Sequence, residues 1–226
     1  SVFHFNDYNR DKFIANVARS IPPGSKVLDA GAGTCKYKPL FAHCEYKAQD
    51  FAKYEGKEHK YGELDYIRDI TAIPVPDATF DYVICTEVFE HIPSPDLAIG
   101  EFARILKTGG ELIITAPLGS GIHMPPYHYY GGFTPNWYEY FLPKNGFEME
   151  SCIANSGFFK LYGQESQRFL SMITPSKRIS RYAFIPVKVI LALWFKVAIP
   201  LICHYLDRFD TKQEFTVGYF IKARKV

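Results

Sequence analysis

Charge of one sign is what this chain most plainly lacks. Its 226 residues carry 26 basic and 24 acidic side chains, a formal net charge of +2. So even a balance gives no reason to expect a nucleic-acid partner. Cysteine is sparse as well: Cys35, Cys44, Cys85, Cys152 and Cys203 are odd in number and scattered, with no Cys-x-x-Cys or Cys/His cluster at ligand spacing. Spacing along the chain therefore predicts no metal site and no disulfide framework, and the simplest expectation is a reducing, cytoplasmic setting. Residues 1–11 are polar and aromatic and contain no apolar leader segment. Two catalytic devices are missing too, the Gly-x-Ser-x-Gly nucleophile elbow and the Walker lysine, so no protein nucleophile is evident.

What is present is apolar and aromatic. Hydrophobic residues make up 47% and aromatic residues 16% of the chain, which excludes disorder and predicts a packed globule. The length suits one α/β domain with or without an insertion. The central stretch is Val27-Leu28-Asp29-Ala30-Gly31-Ala32-Gly33-Thr34-Cys35. A buried strand that stops in such a turn brings backbone close to a ligand, because glycine has no side chain to block approach. A helix starting at about Thr34 would add positive partial charge to the same spot.

Apolar periodicity predicts a first helix over Tyr8–Ser20, stopped by Ile21-Pro22-Pro23-Gly24, and a first strand over Ser25–Ala30. A short helix over Tyr37–His43 and a second strand ending at Asp50 follow. Asp50 lies about twenty residues past the turn, where nucleotide-binding βαβ units place an acid on ribose hydroxyls. Further strands are expected near Leu64–Arg68, over Phe80–Cys85 and over Glu111–Ala116, with a helix over Pro95–Leu106 closed by Lys107-Thr108-Gly109-Gly110. This alternation implies a parallel, doubly wound α/β sheet. Right-handed crossovers then put Asp29, Asp50, Asp69 and Thr86, with Glu87, along one rim.

In that order the motifs resemble a class I S-adenosylmethionine-dependent methyltransferase, over about Lys26–Pro117. Val27–Thr34 resembles the first motif, Asp50 the acid ending the second strand, and Asp69 before Ile70 the acid near the adenine. Cys85-Thr86-Glu87-Val88-Phe89-Glu90-His91-Ile92 resembles the fourth-strand motif. Cys35 departs from the family, standing where many members have a third glycine. The resemblance implies S-adenosylmethionine as cofactor, held by Asp29, Gly31, Gly33, Thr34, Asp50, Asp69, Ile70, Thr86 and Glu87. It also implies a seven-stranded, mostly parallel sheet whose last strand is antiparallel. A nicotinamide-dependent dehydrogenase is the rival reading of Gly-x-Gly plus Asp50, and a non-catalytic S-adenosylmethionine-binding protein is the other alternative.

The second half bears on the acceptor. The loop His123–Pro135 is crowded with imidazoles and phenols, and with His91 it offers His123, His128 and Tyr127 as candidate catalytic bases. A helix over Thr134–Asn145, a strand over Phe147–Ala154 and a last strand over Glu214–Ala223 are expected. The whole is then one methyltransferase domain, with residues 1–24 as an N-terminal cap and an apolar helical insertion over 157–211. The run Tyr182–Cys203 is long enough to raise the question of a membrane span. Lys188, Lys196 and two prolines argue against one, since lysine at mid-bilayer is costly. Lys177, Arg178 and Arg181 give it a basic flank, as in interfacial helices. The insertion is thus read as a lid, a homodimer contact or a membrane-surface contact. The acceptor is read as a small molecule or a glycan or lipid precursor on a carrier, methylated on oxygen or nitrogen.

Overall fold

The computed structural model describes residues 2–56, 60–172 and 185–226. Two compact units emerge, Asn9–Ile153 with Gly218–Val226, and Ser1–Tyr8 with Ala154–Val217.

The first unit is built on a seven-stranded sheet. Its strands are β1 (Lys26–Ala30), β2 (Glu45–Asp50), β3 (Tyr66–Ile67), β4 (Phe80–Thr86), β5 (Leu106–Pro117), β6 (Phe147–Ala154) and β7 (Gly218–Lys225). They lie in the order β3-β2-β1-β4-β5-β7-β6. Every pair from β3 to β5 is parallel, and β7 runs antiparallel to β5 from Glu111↔Arg224 to Pro117↔Gly218. β1 is central and covered on both faces: Val27, Leu28, Asp29 and Ala30 are all buried, the pattern of an inner parallel strand. Against it pack Ile14, Val17 and Ala18 of the first helix, α1 (Phe5–Ser20), together with Phe41, Ile84 and Ile113. Each of the larger side chains contributes roughly 1.5–3 kcal/mol through burial.

The seven-stranded, mostly parallel sheet, its antiparallel last strand and the strand Phe147–Ala154 agree with expectation. Several local features do not. No α-helix follows the glycine turn: residues 31–37 are turns, and a single 3-10 turn spans Lys38–Phe41. Cys35 has φ +57, a left-handed conformation that ends helix propagation, and Pro39 removes a backbone donor at the start of the following 3-10 turn. The expected dipole is therefore absent from the turn.

β5 also begins earlier than expected, at Leu106, and takes in Lys107–Gly110. The register explains how: Phe80 faces Leu106 but Tyr82 already faces Glu111, so β5 bulges by several residues. Gly109 supplies φ +78, and a Cβ on Gly110 would stand 2.8 Å from the Lys107 carbonyl and 2.9 Å from that of Asp81. β3 shrinks to Tyr66–Ile67, and β7 starts at Gly218 rather than Glu214. Helix α2 (Pro95–Ile105) forms as expected. Thr134 precedes helix α3 (Pro135–Lys144), but its hydroxyl makes no capping bond, and the first turn is set by Pro135.

The second unit holds helix α4 (Phe158–Ser166), the short helix Phe169–Met172 and the long helix Pro186–Phe209. Within the long helix, Trp194–Ala198 widens into a π turn just before Pro200. A proline has no N–H for the preceding turn, and widening absorbs the missing bond. α4 crosses the long helix at Gly163, where a Cβ would lie 3.1 Å from Cys203 Cβ and 3.3 Å from Pro200 Cα. The α4 N-terminus is capped from a distance. Asp207 accepts from the amides of Gly157 (3.2 Å) and Lys160 (3.0 Å), and Asp210 accepts from that of Phe158 (2.7 Å). The basic flank Lys177, Arg178 and Arg181 lies outside the described residues.

Candidate active site

The rim expected from topology exists, but its residues divide. The turn after β1 is tied to the end of β2. Gly31 and Ala32 both donate their amides to the Gln49 carbonyl, each at 2.9 Å, and Gly33 donates to Asp50 Oδ2 at 3.0 Å. These amides are spent on the protein, so the glycines serve approach and not anion capture. Gly31 has φ +76, and a Cβ there would lie 2.4 Å from Val88 Cγ2. Only glycine lets the segment after β4 come this close.

Asp50 is buried, and its second oxygen accepts from the Ala52 amide at 2.9 Å. Two backbone bonds fix the carboxylate while leaving a lone pair on each oxygen. A cavity of about 420 Å³ opens beside it, lined by Gly31, Gly33, Gln49, Asp50, Phe51, Tyr61, Asp69, Ile70, Glu87, Val88, His91, Met124 and Tyr127 among others. That volume lies within the range of ligand sites. Gln49 is nearly inaccessible; its Nε2 donates to the Arg68 carbonyl at 2.6 Å while Oε1 has no partner.

Five expected residues do not line this cavity: Asp29, Thr34 and Thr86 of the cofactor set, and His123 and His128 of the candidate bases. Asp29 is buried and accepts from the Tyr46 hydroxyl at 2.6 Å. Burial, with the Asp50 charge adding to it, pushes its carboxyl up to about 6. Thr34 borders a shallower depression beside Cys35 and Glu63. Asp69 does line the cavity, though its Oδ1 is engaged by the Thr71 amide and hydroxyl at 2.9 and 2.7 Å. Glu87, in the left-handed region at φ +53, holds Arg10 at 3.0 Å and accepts from the Thr115 hydroxyl at 2.8 Å.

At the mouth the four candidate catalytic residues converge. The amides of Tyr129 and Tyr130 donate to the Glu90 carbonyl, which draws the loop onto the segment after β4. The His91 and His123 rings then lie 4.7 Å apart, and His128 lies 4.6 Å from His123. His91 Nδ1 bonds the Tyr127 carbonyl, and His128 Nε2 lies 3.1 Å from the Ser120 hydroxyl. Burial holds His91 below the usual imidazole range. Tyr127 meets Phe51 edge-on at 5.0 Å, closing one wall. Sequence reasoning missed Gln49, Phe51, Tyr61 and Glu90. For Gln49 the one available signal was its place before the strand-ending acid; for the others there was none.

The family model described as "Methyltransferase domain" matches residues 28–114. The chain carries a class I S-adenosylmethionine-dependent methyltransferase domain. Among curated relatives, the domain is 28% identical over 155 residues to sarcosine/dimethylglycine N-methyltransferase of Halorhodospira halochloris, covering 60% of this chain and 56% of that protein. It is 28% identical over 102 residues to phosphatidylethanolamine N-methyltransferase of Cereibacter sphaeroides, covering 40% and 50%. The chain thus spans about half the length of the curated relatives it matches. Among solved structures, phosphoethanolamine N-methyltransferase 2 of Haemonchus contortus, in complex with S-adenosyl-L-methionine, superposes with a TM-score of 0.57 at 18% identity, covering 96% of this chain and 52% of that one. Geranyl diphosphate methyltransferase superposes at 0.58 and 11% identity, covering 97% and 78%. At these identities the superpositions show the fold.

The domain's residues fit its cofactor. Asp50 presents fixed acceptors, Gln49 Oε1 is an acceptor still lacking a donor, and Phe51 and Ile70 give an apolar wall beside Asp69. Such a donor and acceptor set suits ribose hydroxyls, an amine and a flat apolar ring.

Proposed function

We propose that the protein methylates a small or lipid-linked acceptor at oxygen or nitrogen, using S-adenosylmethionine. The observation that carries the reading is one cavity whose lining brings Asp50 and Gln49 together with His91 and Tyr127. S-adenosylmethionine, when bound, supplies a methyl group on a sulfonium sulfur for in-line displacement. When it is bound, Asp50 would accept from the ribose hydroxyls, Ile70 and Phe51 would hold the adenine together with Asp69, and Glu87 would serve the end that carries the transferred group. An acceptor hydroxyl or ammonium would lose its proton beside the imidazole cluster of His91, His123 and His128. Positioning and exclusion of water then supply much of the rate, with no protein nucleophile needed. The dehydrogenase alternative finds no support.

The second unit supports a reading of its own. The helix Pro186–Phe209 is long and apolar enough, by length and composition, to cross a membrane. Its exposed residues include Ile190, Leu193, Trp194, Ile202 and Tyr205 together with Lys188 and Lys196. Exposed Trp, Tyr and Lys beside aliphatic side chains suit a membrane surface better than a bilayer centre. A membrane-surface contact agrees with a lipid-linked acceptor.

Calorimetric titration with S-adenosylhomocysteine tests the methyl-transfer reading. Saturable 1:1 binding is expected, and Asp50→Ala weakens it by on the order of 1–3 kcal/mol, the range for an unpaired polar group. Binding of NADH in place of S-adenosylhomocysteine overturns the reading. Turnover is then followed as S-adenosylhomocysteine formation with small amines, phosphoethanolamine-type lipids and quinols.

A further inference from the structure

Two imidazole nitrogens face each other at the cavity mouth with no proton assigned between them. His91 Nδ1 bonds the carbonyl of Tyr127, and His123 Nδ1 lies 2.9 Å from the carbonyl of Gly121. A carbonyl only accepts, so each ring carries its hydrogen on Nδ1, and each Nε2 keeps a lone pair. Those two Nε2 atoms stand 3.1 Å apart. Two bare lone pairs at that separation repel unless something positive lies between them.

The third group is Glu90. It is 2% exposed, and its Oε2 has no hydrogen-bond partner. Its Oε1 lies 3.8 Å from His91 Nε2. Donor atoms of Glu90, His91 and His123 all fall within 4.8 Å of one another. Glu87, the other acid nearby, is occupied by Arg10 and Thr115.

We propose that Glu90, His91 and His123 bind a divalent transition-metal ion, of the zinc or cobalt kind. The distances suit the chemistry. Two imidazole nitrogens each about 2.0–2.1 Å from one ion at a tetrahedral angle stand roughly 3.3 Å apart, close to the separation found here. Two imidazoles and one carboxylate select borderline divalent ions and leave a coordination position open. The backbone carbonyls on both Nδ1 atoms are the orienting second layer that ligating histidines ordinarily carry. His91 also lines the cavity with Met124 and Tyr127, so an ion held here would stand beside the space in which the methyl-transfer reading puts the acceptor. The ion occupies the place of the proton that the pair would otherwise share. An acceptor hydroxyl or enol is the ligand class such a position would take. The site's purpose rests on the methyl-transfer reading, but its existence does not.

The test is equilibrium dialysis of the whole chain against zinc with elemental analysis, and a cobalt titration followed by visible absorption. One equivalent per chain is expected, with visible bands of nitrogen- and oxygen-ligated cobalt. His123→Ala, at an exposed position where no packing is lost, should weaken affinity by at least about tenfold, and the isosteric Glu90→Gln should do the same. His128→Ala should leave metal affinity unchanged, since it contributes no ligand. Absence of stoichiometric binding overturns the proposal, as does binding that survives both His123→Ala and Glu90→Gln. S-adenosylhomocysteine affinity is measured on the same preparations. Metal binding without it overturns the methyl-transfer reading alone, and the converse overturns the metal site alone.

Discussion

At the scale of single residues, Asp29 shows how burial converts into pH dependence. Its folded carboxyl titrates at about 6, against 3.8 for a solvated one. The folded state therefore holds this proton more tightly than the unfolded chain. That contribution to stability is fully present below the solvated value and is lost as pH rises through the folded one. Above about pH 6 the buried charge costs on the order of 2–3 kcal/mol. Asp29→Asn keeps an acceptor for the Tyr46 hydroxyl and removes the charge. Urea unfolding should show the variant more stable than the native chain at pH 8 by up to that amount, with the gap closing near pH 4. A difference independent of pH would refute this account. Gly31→Ala should act in the opposite direction at every pH. Its Cβ meets Val88 and its φ is +76, so a loss of roughly 1–3 kcal/mol is expected, with weaker S-adenosylhomocysteine binding on calorimetry. The sequence pattern revealed that glycine was needed here, but not why. Carbonyl Gln49, not a ligand, takes the turn's amides, and that follows from the parallel register of β1 on β2, which no local pattern encodes. Cys35 shows the reverse. As a departure from the glycine motif it looked like a packing matter, yet it keeps the left-handed backbone, at φ +57, that glycine adopts freely.

At the scale of elements, legibility followed the source of each element's stability. Strands β1, β4 and β6 and helix α2 are carried by their own apolar patterns, and their expected bounds differ from the observed ones by at most a residue at either end. Elements that depend on distant partners were misread. The missing helix after β1 depends on Cys35 turning left, and the long β5 depends on a bulge against Phe80–Tyr82. The capping of α4 is the clearest case, because its acceptors come from about fifty residues further along the chain. Asp207 receives the Gly157 and Lys160 amides and also lies 3.7 Å from Lys160 Nζ. Removing it leaves first-turn amides without partners and takes a negative charge from the positive end of the helix. Asp207→Ala should therefore cost about 1–2 kcal/mol locally. Hydrogen exchange should quicken at Leu161 to Gly163, while amides in β4 and β5 keep their protection. Equal quickening in the sheet would mean that the cap is not a local device. The histidine cluster obeys the same rule, since His91 and His123 are 32 residues apart and meet where the Tyr129 and Tyr130 amides bond the Glu90 carbonyl and His91 bonds that of Tyr127.

At the scale of the whole molecule, the unit formed by residues 1–8 and 154–217 spends its apolar surface differently from the sheet unit. Along its long helix, Ile199, Pro200 and Cys203 are buried, whereas Ile190 is 67%, Leu193 61% and Tyr205 64% exposed. Leaving so many large apolar side chains in water is costly unless something covers them. The sequence made the length of this run plain and its two lysines made a span expensive, but which side chains face outward depends on the Gly163 crossing. On the proposed membrane-surface contact, the aliphatic and aromatic side chains would enter the interface while Lys188 and Lys196 would reach lipid phosphates. The protein should therefore float with vesicles containing anionic lipid. Each lysine near such a surface is worth about 1 kcal/mol, so Lys188→Glu with Lys196→Glu should lower the bound fraction by at least tenfold in partition coefficient, and salt should weaken native binding in the same direction. Leu193→Asp should reduce flotation even on neutral lipid, because it removes buried apolar area and not only charge. If the native chain stays unbound on every lipid composition while sedimentation shows a dimer that Leu193→Asp dissociates, a second copy covers the helix and the membrane contact is refuted.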